Sequence, residues 1–190
     1  MRGVNLMGND AERYRRFLDG DDNGLIELID EYHEGITLYL NSIVNNMSLA
    51  EDIMQDTFVK LAIKKPVFRG KSSFKTWLFT IARNCAIDHL RKIQKISDLS
   101  LDEQVNISDV TDTEKEFFKE EQKAELYKAM KQLNPDYYQV LYLMYFEDLD
   151  TSDIAKIMHK AKRQVSDLIF RARKSLKTEL ERKGFIYERY

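Results

Sequence analysis

The chain is poor in the residues that staple, break or span a fold. It has one cysteine, Cys85, so no disulfide can form within it, which fits a reducing cytoplasm. Cys85 shares a helical register with apolar neighbours, which makes it a small buried hydrophobe rather than a nucleophile. Two prolines and seven glycines in 190 residues leave long uninterrupted stretches. Strand-like alternation is missing. No apolar run nears the ~18 residues of a membrane span. The opening MRGVNLMGND lacks an apolar stretch of signal-peptide length. There is no phosphate-binding glycine loop, no Cys/His metal spacing and no nucleophile–base constellation. The expectation is a cytoplasmic protein that is not an enzyme and uses no metal or cofactor.

What the chain does have is helical pattern. Apolar residues recur at three and four, so the fold class is all-α. The spacing predicts a short helix over 11–18 and a longer one from Leu25 to Val44, with Leu25, Ile29, Tyr32, Ile36, Tyr39, Leu40 and Ile43 inward. Ser48–Glu51 reads as a capping box opening a third helix, with Ile53, Met54, Phe58, Leu61 and Ala62 inward. Pro66 and Gly70 mark a loop over 65–73, after which Ser72 or Ser73 caps a helix with Phe74, Trp77, Leu78, Ile81, Cys85 and Leu90 inward. Periodicity fades near Lys95. A second capping box at Thr113–Glu116 starts a helix to Leu133, and Asn134-Pro135 starts the next. Asp150–Met158 and 162–182 form a final helix pair with a tight turn at His159.

Charge divides the chain in three, although the total is only −2. Acids dominate from Ser97 to Gln122, and the polar stretch 97–112 reads as a flexible acidic linker. Bases dominate in two stretches, one on either side of it, 60–92 and 156–183. The expected organisation is therefore two small helical domains, 1–96 and 113–190, joined by 97–112.

Three segments carry chemistry. From Pro66 to Lys92, Arg69, Lys71, Lys75, Arg83, Arg91 and Lys92 face a single acid, Asp88, and are interleaved with Phe68, Phe74, Trp77 and Phe79. Bases bind phosphate and aromatic faces stack on unpaired bases, so this composition suits single-stranded nucleic acid. A solvated basic face on an amphipathic core helix explains it too, and Trp77, on the inner stripe, suits the core. In the last helix pair, Ile154, Ala155, Met158, Val165, Leu168, Ile169 and Ala172 have the spacing for mutual contact. The second helix then presents Lys162, Arg163, Gln164, Ser166, Asp167, Phe170, Arg171 and Lys174, in the manner of a helix-turn-helix entering a major groove. Finally, Glu51, Asp52, Gln55, Asp56 and Lys60 lie on or beside one helical face. Asp52 and Asp56 lack the His or convergent acids of a catalytic or metal site.

These same segments resemble a family. FRGKSSFKTWLFTIARNCAIDHLRK (68–92) resembles the promoter-melting, minus-ten segment of bacterial sigma factors of the extracytoplasmic-function (ECF) group. AEDIMQDTFVKLA (50–62) is similar to that family's core-polymerase-docking helix, and LDTSDIAKIMHKAKRQVSDLIFRARKSL (149–176) to its C-terminal helix-turn-helix. The matches occur in the family's order. The resemblance implies that Glu51, Asp52, Gln55, Asp56 and Lys60 bind core RNA polymerase at its clamp coiled coil. It implies a base pocket in the 65–73 loop, with Phe68, Arg69, Lys71, Ser73, Lys75, Arg83, Asn84, Arg91 and Lys92 on minus-ten DNA. The 162–174 set would read minus-thirty-five DNA, and the polymerase flap and an anti-sigma factor would be further partners. Three positions depart from the family's habit: His159 stands where glycine is usual, and Ser166 and Leu168 stand where basic residues are.

Three rival readings use less of the chain. A helix-turn-helix regulator that never joins polymerase explains residues 134–183 and leaves 50–62 and 68–92 idle. A helical nuclease built on Asp52 and Asp56 lacks a metal cluster. A sequestering protein without DNA activity draws on Ser166 and Leu168 alone.

Overall fold

A computed structural model describes residues 6–99 and 121–182. They form eight α-helices, with no strand among the described residues. The chain divides into two compact units, Met1–Ser108 and Asp109–Tyr190. Apart from the end of one helix, the acidic stretch 97–112 lies outside the described residues, as does the Thr113–Glu116 capping box.

The first unit contains α1 (Leu6–Leu18), α2 (Asn23–Val44), α3 (Met47–Lys64) and α4 (Phe74–Leu99). α2 is the central helix and packs against the other three. Its buried stripe holds Leu25, Leu28, Tyr32, Ile36, Tyr39 and Leu40. Leu28 and Val44 take the buried places expected for Ile29 and Ile43, which are half-buried. α1 is longer than its periodicity suggests and lies against α2 through a polar network. There the Tyr32 hydroxyl donates to Asp10, Asp10 pairs with Arg13, and Glu27 pairs with both Arg13 and Arg16.

Adjacent asparagines make the corner between α2 and α3. Asn45 takes the left-handed conformation (φ 50°) and closes α2, its N–H donating to Asn41. Asn46 is extended, and its side chain accepts from the Leu49 N–H at 3.0 Å. Asn46 therefore caps α3, and the expected Ser48–Glu51 box does not, because Ser48 already lies inside the helix. α4 starts where Ser73 accepts from the Thr76 N–H at 3.1 Å. It runs to Leu99, beyond the fading of periodicity near Lys95. Its buried face is Phe74, Leu78, Phe79, Ala82 and Ala86, with Trp77, Ile81, Cys85 and Leu90 half-buried beside it.

The second unit contains α5 (Glu121–Met130), α6 (Pro135–Tyr145), α7 (Thr151–Met158) and α8 (Lys162–Arg182). Asn134 caps α6 ahead of Pro135, as the dipeptide predicts. Tyr127 on α5 meets Tyr138, Tyr142 and Phe146 edge-on, and Tyr142 stacks on Phe146 with centroids 5.2 Å apart. α6, α7 and α8 close on a core of Val140, Leu141, Ile154, Ile157, Met158, Val165, Ile169 and Ala172.

Candidate nucleic-acid and polymerase interfaces

In the second unit the site is the outer face of α8. Asp150 caps α7 by accepting from the N–H groups of Ser152 at 2.7 Å and Asp153 at 2.9 Å. α7 ends at His159, left-handed at φ 52°, ψ 41°. The His159 N–H reaches the Lys156 carbonyl and the Lys160 N–H the Ala155 carbonyl, which together make a Schellman motif. A residue other than glycine thus makes the expected tight turn, and imidazole tolerates the left-handed region better than most side chains. The Lys160 ammonium then ties the turn to α6 through Asp136 at 3.1 Å.

Val165, Ile169, Ala172, Leu176 and Leu180 form the sealed side of α8. All eight residues expected to face DNA are exposed: Lys162, Arg163, Gln164, Ser166, Asp167, Phe170, Arg171 and Lys174. Phe170, at 73% exposed, is the most open large apolar side chain among the described residues. Two polar groups are partly committed. The Gln164 Oε1 accepts from the Ala161 N–H at 2.8 Å, capping α8 and leaving its amide N–H₂ outward. The Ser166 hydroxyl donates to the Lys162 carbonyl at 3.2 Å. Arg173 faces elsewhere, its Nε donating to the Tyr145 hydroxyl at 3.1 Å and its guanidinium lying over that ring.

In the first unit, α3 leaves Asp52, Gln55, Asp56 and Lys60 exposed with Glu51 half-buried, while Ala50, Ile53, Thr57, Phe58 and Leu61 turn inward. Thr57 satisfies its buried hydroxyl on the Ile53 carbonyl at 2.8 Å. Between α3 and α4 lies an open cleft of about 230 Å³, lined by Ile53, Asp56, Lys60, Cys85, Asp88, His89 and Lys92. The Lys60 ammonium is 3.8 Å from the Cys85 sulfur there.

The loop over 65–73 sits on an aromatic platform. Phe68 is half-buried, its ring 5.4 Å from Phe74 and 5.3 Å from Trp77. Trp77 packs on Tyr14 and Phe74, the core role its register suggests. Phe79 is fully buried beside Tyr39 and presents nothing to a base. Arg69 and Lys71 are exposed. The Ser73 hydroxyl is spent on Thr76. Lys75 lies 5.9 Å over the Phe79 ring. Asn84, Arg91 and Lys92 are exposed along α4, and Arg91 is 3.6 Å from Asp88. Arg83 is half-buried, with its Nε enclosed and without a hydrogen-bond partner. No cluster of His, Cys, Asp and Glu fit for a metal occurs among the described residues.

Comparison with known proteins places the same segments together. The family model for Sigma-70 region 2 matches residues 28–96, and that for Sigma-70, region 4 matches residues 123–176. The chain is 30% identical to the RNA polymerase sigma factor YlaC of Bacillus subtilis (strain 168), over 81% of this chain and 90% of that protein. It is also 30% identical to the ECF RNA polymerase sigma factor SigM of the same organism, over 80% of this chain and 91% of that protein. Among solved structures, the sigma factor RpoE in complex with the anti-sigma factor NepR from Bartonella quintana superposes with a TM-score of 0.61 at 25% identity. That match covers 82% of this chain and 95% of RpoE. The chain belongs to the sigma-70 family, in its extracytoplasmic-function group, and is a sigma factor that directs core RNA polymerase to promoters at the start of transcription.

Proposed function

We propose a division of labour between the units. The α3 face of Asp52, Gln55, Asp56 and Lys60, with Glu51 at its edge, docks on the clamp coiled coil of core polymerase. Its acids suit an arginine-rich partner surface. The loop over 65–73 and the outer side of α4 hold the minus-ten element. Arg69, Lys71, Lys75, Arg83, Arg91 and Lys92 engage the backbone, Phe68 stacks on an unpaired base, and Asn84 bonds a base edge, with Ser73 setting the start of α4. The outer face of α8 reads the minus-thirty-five element, with Arg163 and the outward amide of Gln164 on base edges and Lys174 on phosphate. The second unit also meets the polymerase flap. The acidic stretch 97–112 tethers the domains, 1–96 and 113–190, along the path of the nascent RNA.

Strand opening then comes from differential binding, without nucleotide hydrolysis. The open strand is held better than the duplex, and stacking of one base on Phe68 contributes ~1–3 kcal/mol toward opening an AT-rich step. The site of action is the cytoplasm, where polymerase works; no helix among the described residues is long and apolar enough to cross a membrane. An anti-sigma factor is a further partner, by analogy with RpoE and NepR.

The observation that carries this reading is the sorting of α8. Its eight candidate DNA-facing residues are all outside, while Val165, Ile169 and Ala172 between them are sealed into the core. A helix-turn-helix regulator has that face as well, but it leaves the exposed α3 face without a use. Co-elution separates the two: the purified chain is expected to elute with core polymerase, and failure to do so favours the regulator.

A further inference from the structure

α1 lies outside the stretch that matches Sigma-70 region 2, yet it holds the loop that follows α3. Tyr14 is only 1% exposed. Its hydroxyl donates to the Pro66 carbonyl at 2.8 Å, across 52 positions of sequence. Among the described residues, this is the one hydrogen bond that fixes the main chain from Pro66 to Gly70. Phe17, on the same face of α1 as Tyr14, grips the preceding residue, with the Lys65 ammonium 4.7 Å over its ring. Two α1 side chains thus hold consecutive residues where the loop leaves α3, at a left-handed Lys65 (φ 45°).

The Tyr14 ring has a second contact. It packs on Phe74 and Trp77 at 5.5 and 5.4 Å, the two rings on which Phe68 rests. One residue therefore touches both the entry of the loop and the platform beneath Phe68. Burial pushes the hydroxyl up to about 12, so it remains a protonated donor at neutral pH. α1 is a fixed arm, because the Tyr32 hydroxyl binds Asp10 and Gly24 lets the two helices touch.

We infer that Tyr14 is a positioning residue for promoter opening, whose bond to Pro66 holds Phe68 ready for an unpaired base. The inference rests on the base-pocket reading of the 65–73 loop. A loop ordered before DNA arrives pays no ordering cost at base capture. Without the hydroxyl, part of that cost falls on the opening step.

The test uses the full chain with core polymerase on a duplex promoter, and follows opening by permanganate reactivity of unpaired thymines. Tyr14→Phe keeps the ring and removes only the hydroxyl, so the fold and core binding should survive. Opening is expected to slow about 2- to 10-fold, the range for one lost hydrogen bond. In a Phe68→Ala background, Tyr14→Phe should slow opening no further, because both act through one ring. If Phe68→Ala is slow and Tyr14→Phe opens like wild type, the positioning role is overturned and the base pocket stands. Additive slowing overturns the role as well, since Tyr14 would then act on the fold alone. Wild-type opening by Phe68→Ala overturns the base pocket and the positioning role together.

Discussion

Gly24 and Arg13 meet backbone to backbone. A Cβ added to Gly24 would lie 2.2 Å from the Arg13 carbonyl oxygen and 2.9 Å from the Phe17 amide nitrogen. Neither atom belongs to a side chain that can swing aside, so α1 and α2 have to separate to admit even a methyl group. Gly24→Ala is expected to destabilise the first unit by about 1–3 kcal/mol, the usual cost of overpacking. Thermal unfolding would show it. Because α1 carries Tyr14 and Phe17, the same substitution should also loosen the loop at Lys65 and Pro66, raising exchange of the Lys65 amide.

The Asp150 cap gives a second expectation. N–H donation from Asp153, then from Ser152, with Lys162 and Lys156 nearby, holds the Asp150 carboxyl below its ordinary value. A depressed carboxylate stabilises the fold above its unfolded pKa, and that contribution is lost as pH falls through the lower folded value. Asp150→Asn retains the cap and should flatten the acid limb of stability below about pH 4. Asp150→Ala should cost about 0.5–2 kcal/mol at neutral pH. Equal melting temperatures for Asp150→Ala and wild type would contradict the capping role.

Charge reversal tests the polymerase face. Asp52 and Asp56 are exposed one turn apart on α3 and make no ion pair among the described residues. Asp52→Arg with Asp56→Arg should leave the melting temperature near wild type and abolish retention of core polymerase in a pull-down. A folded double variant that still binds core polymerase would remove this face from the interface.

On α8, base reading and phosphate binding should separate. Arg163→Ala should weaken binding to the preferred upstream element by about 1–3 kcal/mol and relax preference at one position, as loss of a bidentate guanine contact does. Lys174→Ala should weaken binding evenly across sequences and reduce the salt dependence by about one counterion. Identical sequence profiles for Arg163→Ala and wild type would rule out a specific base contact.

Local chemistry was the readable part of the sequence. Asn134-Pro135 and Ser73 act where short-range capping rules put them, and the α8 register sorted inside from outside. Asn46 was hidden because a second cap pattern, Ser48 to Glu51, lies two residues on. The choice depends on Asn45 turning left-handed at the end of α2. Phe79 looks like its aromatic neighbours in the 68–79 run, and only the packing of α4 on Tyr39 shows it to be core. The hold of Tyr14 on Pro66 has no local signature at all, since the partners are 52 positions apart and the acceptor is a main-chain carbonyl. Short spacings reveal caps and faces; a bond to a distant backbone atom requires the fold.

Transcription in vitro tests the central claim most directly. Core polymerase is incubated with fragmented genomic DNA, with and without the chain, and the transcript 5′ ends are sequenced. The account predicts discrete start sites that depend on the chain and share upstream sequence elements, and their loss with the Asp52→Arg, Asp56→Arg variant. The same start sites with and without the folded chain would contradict it.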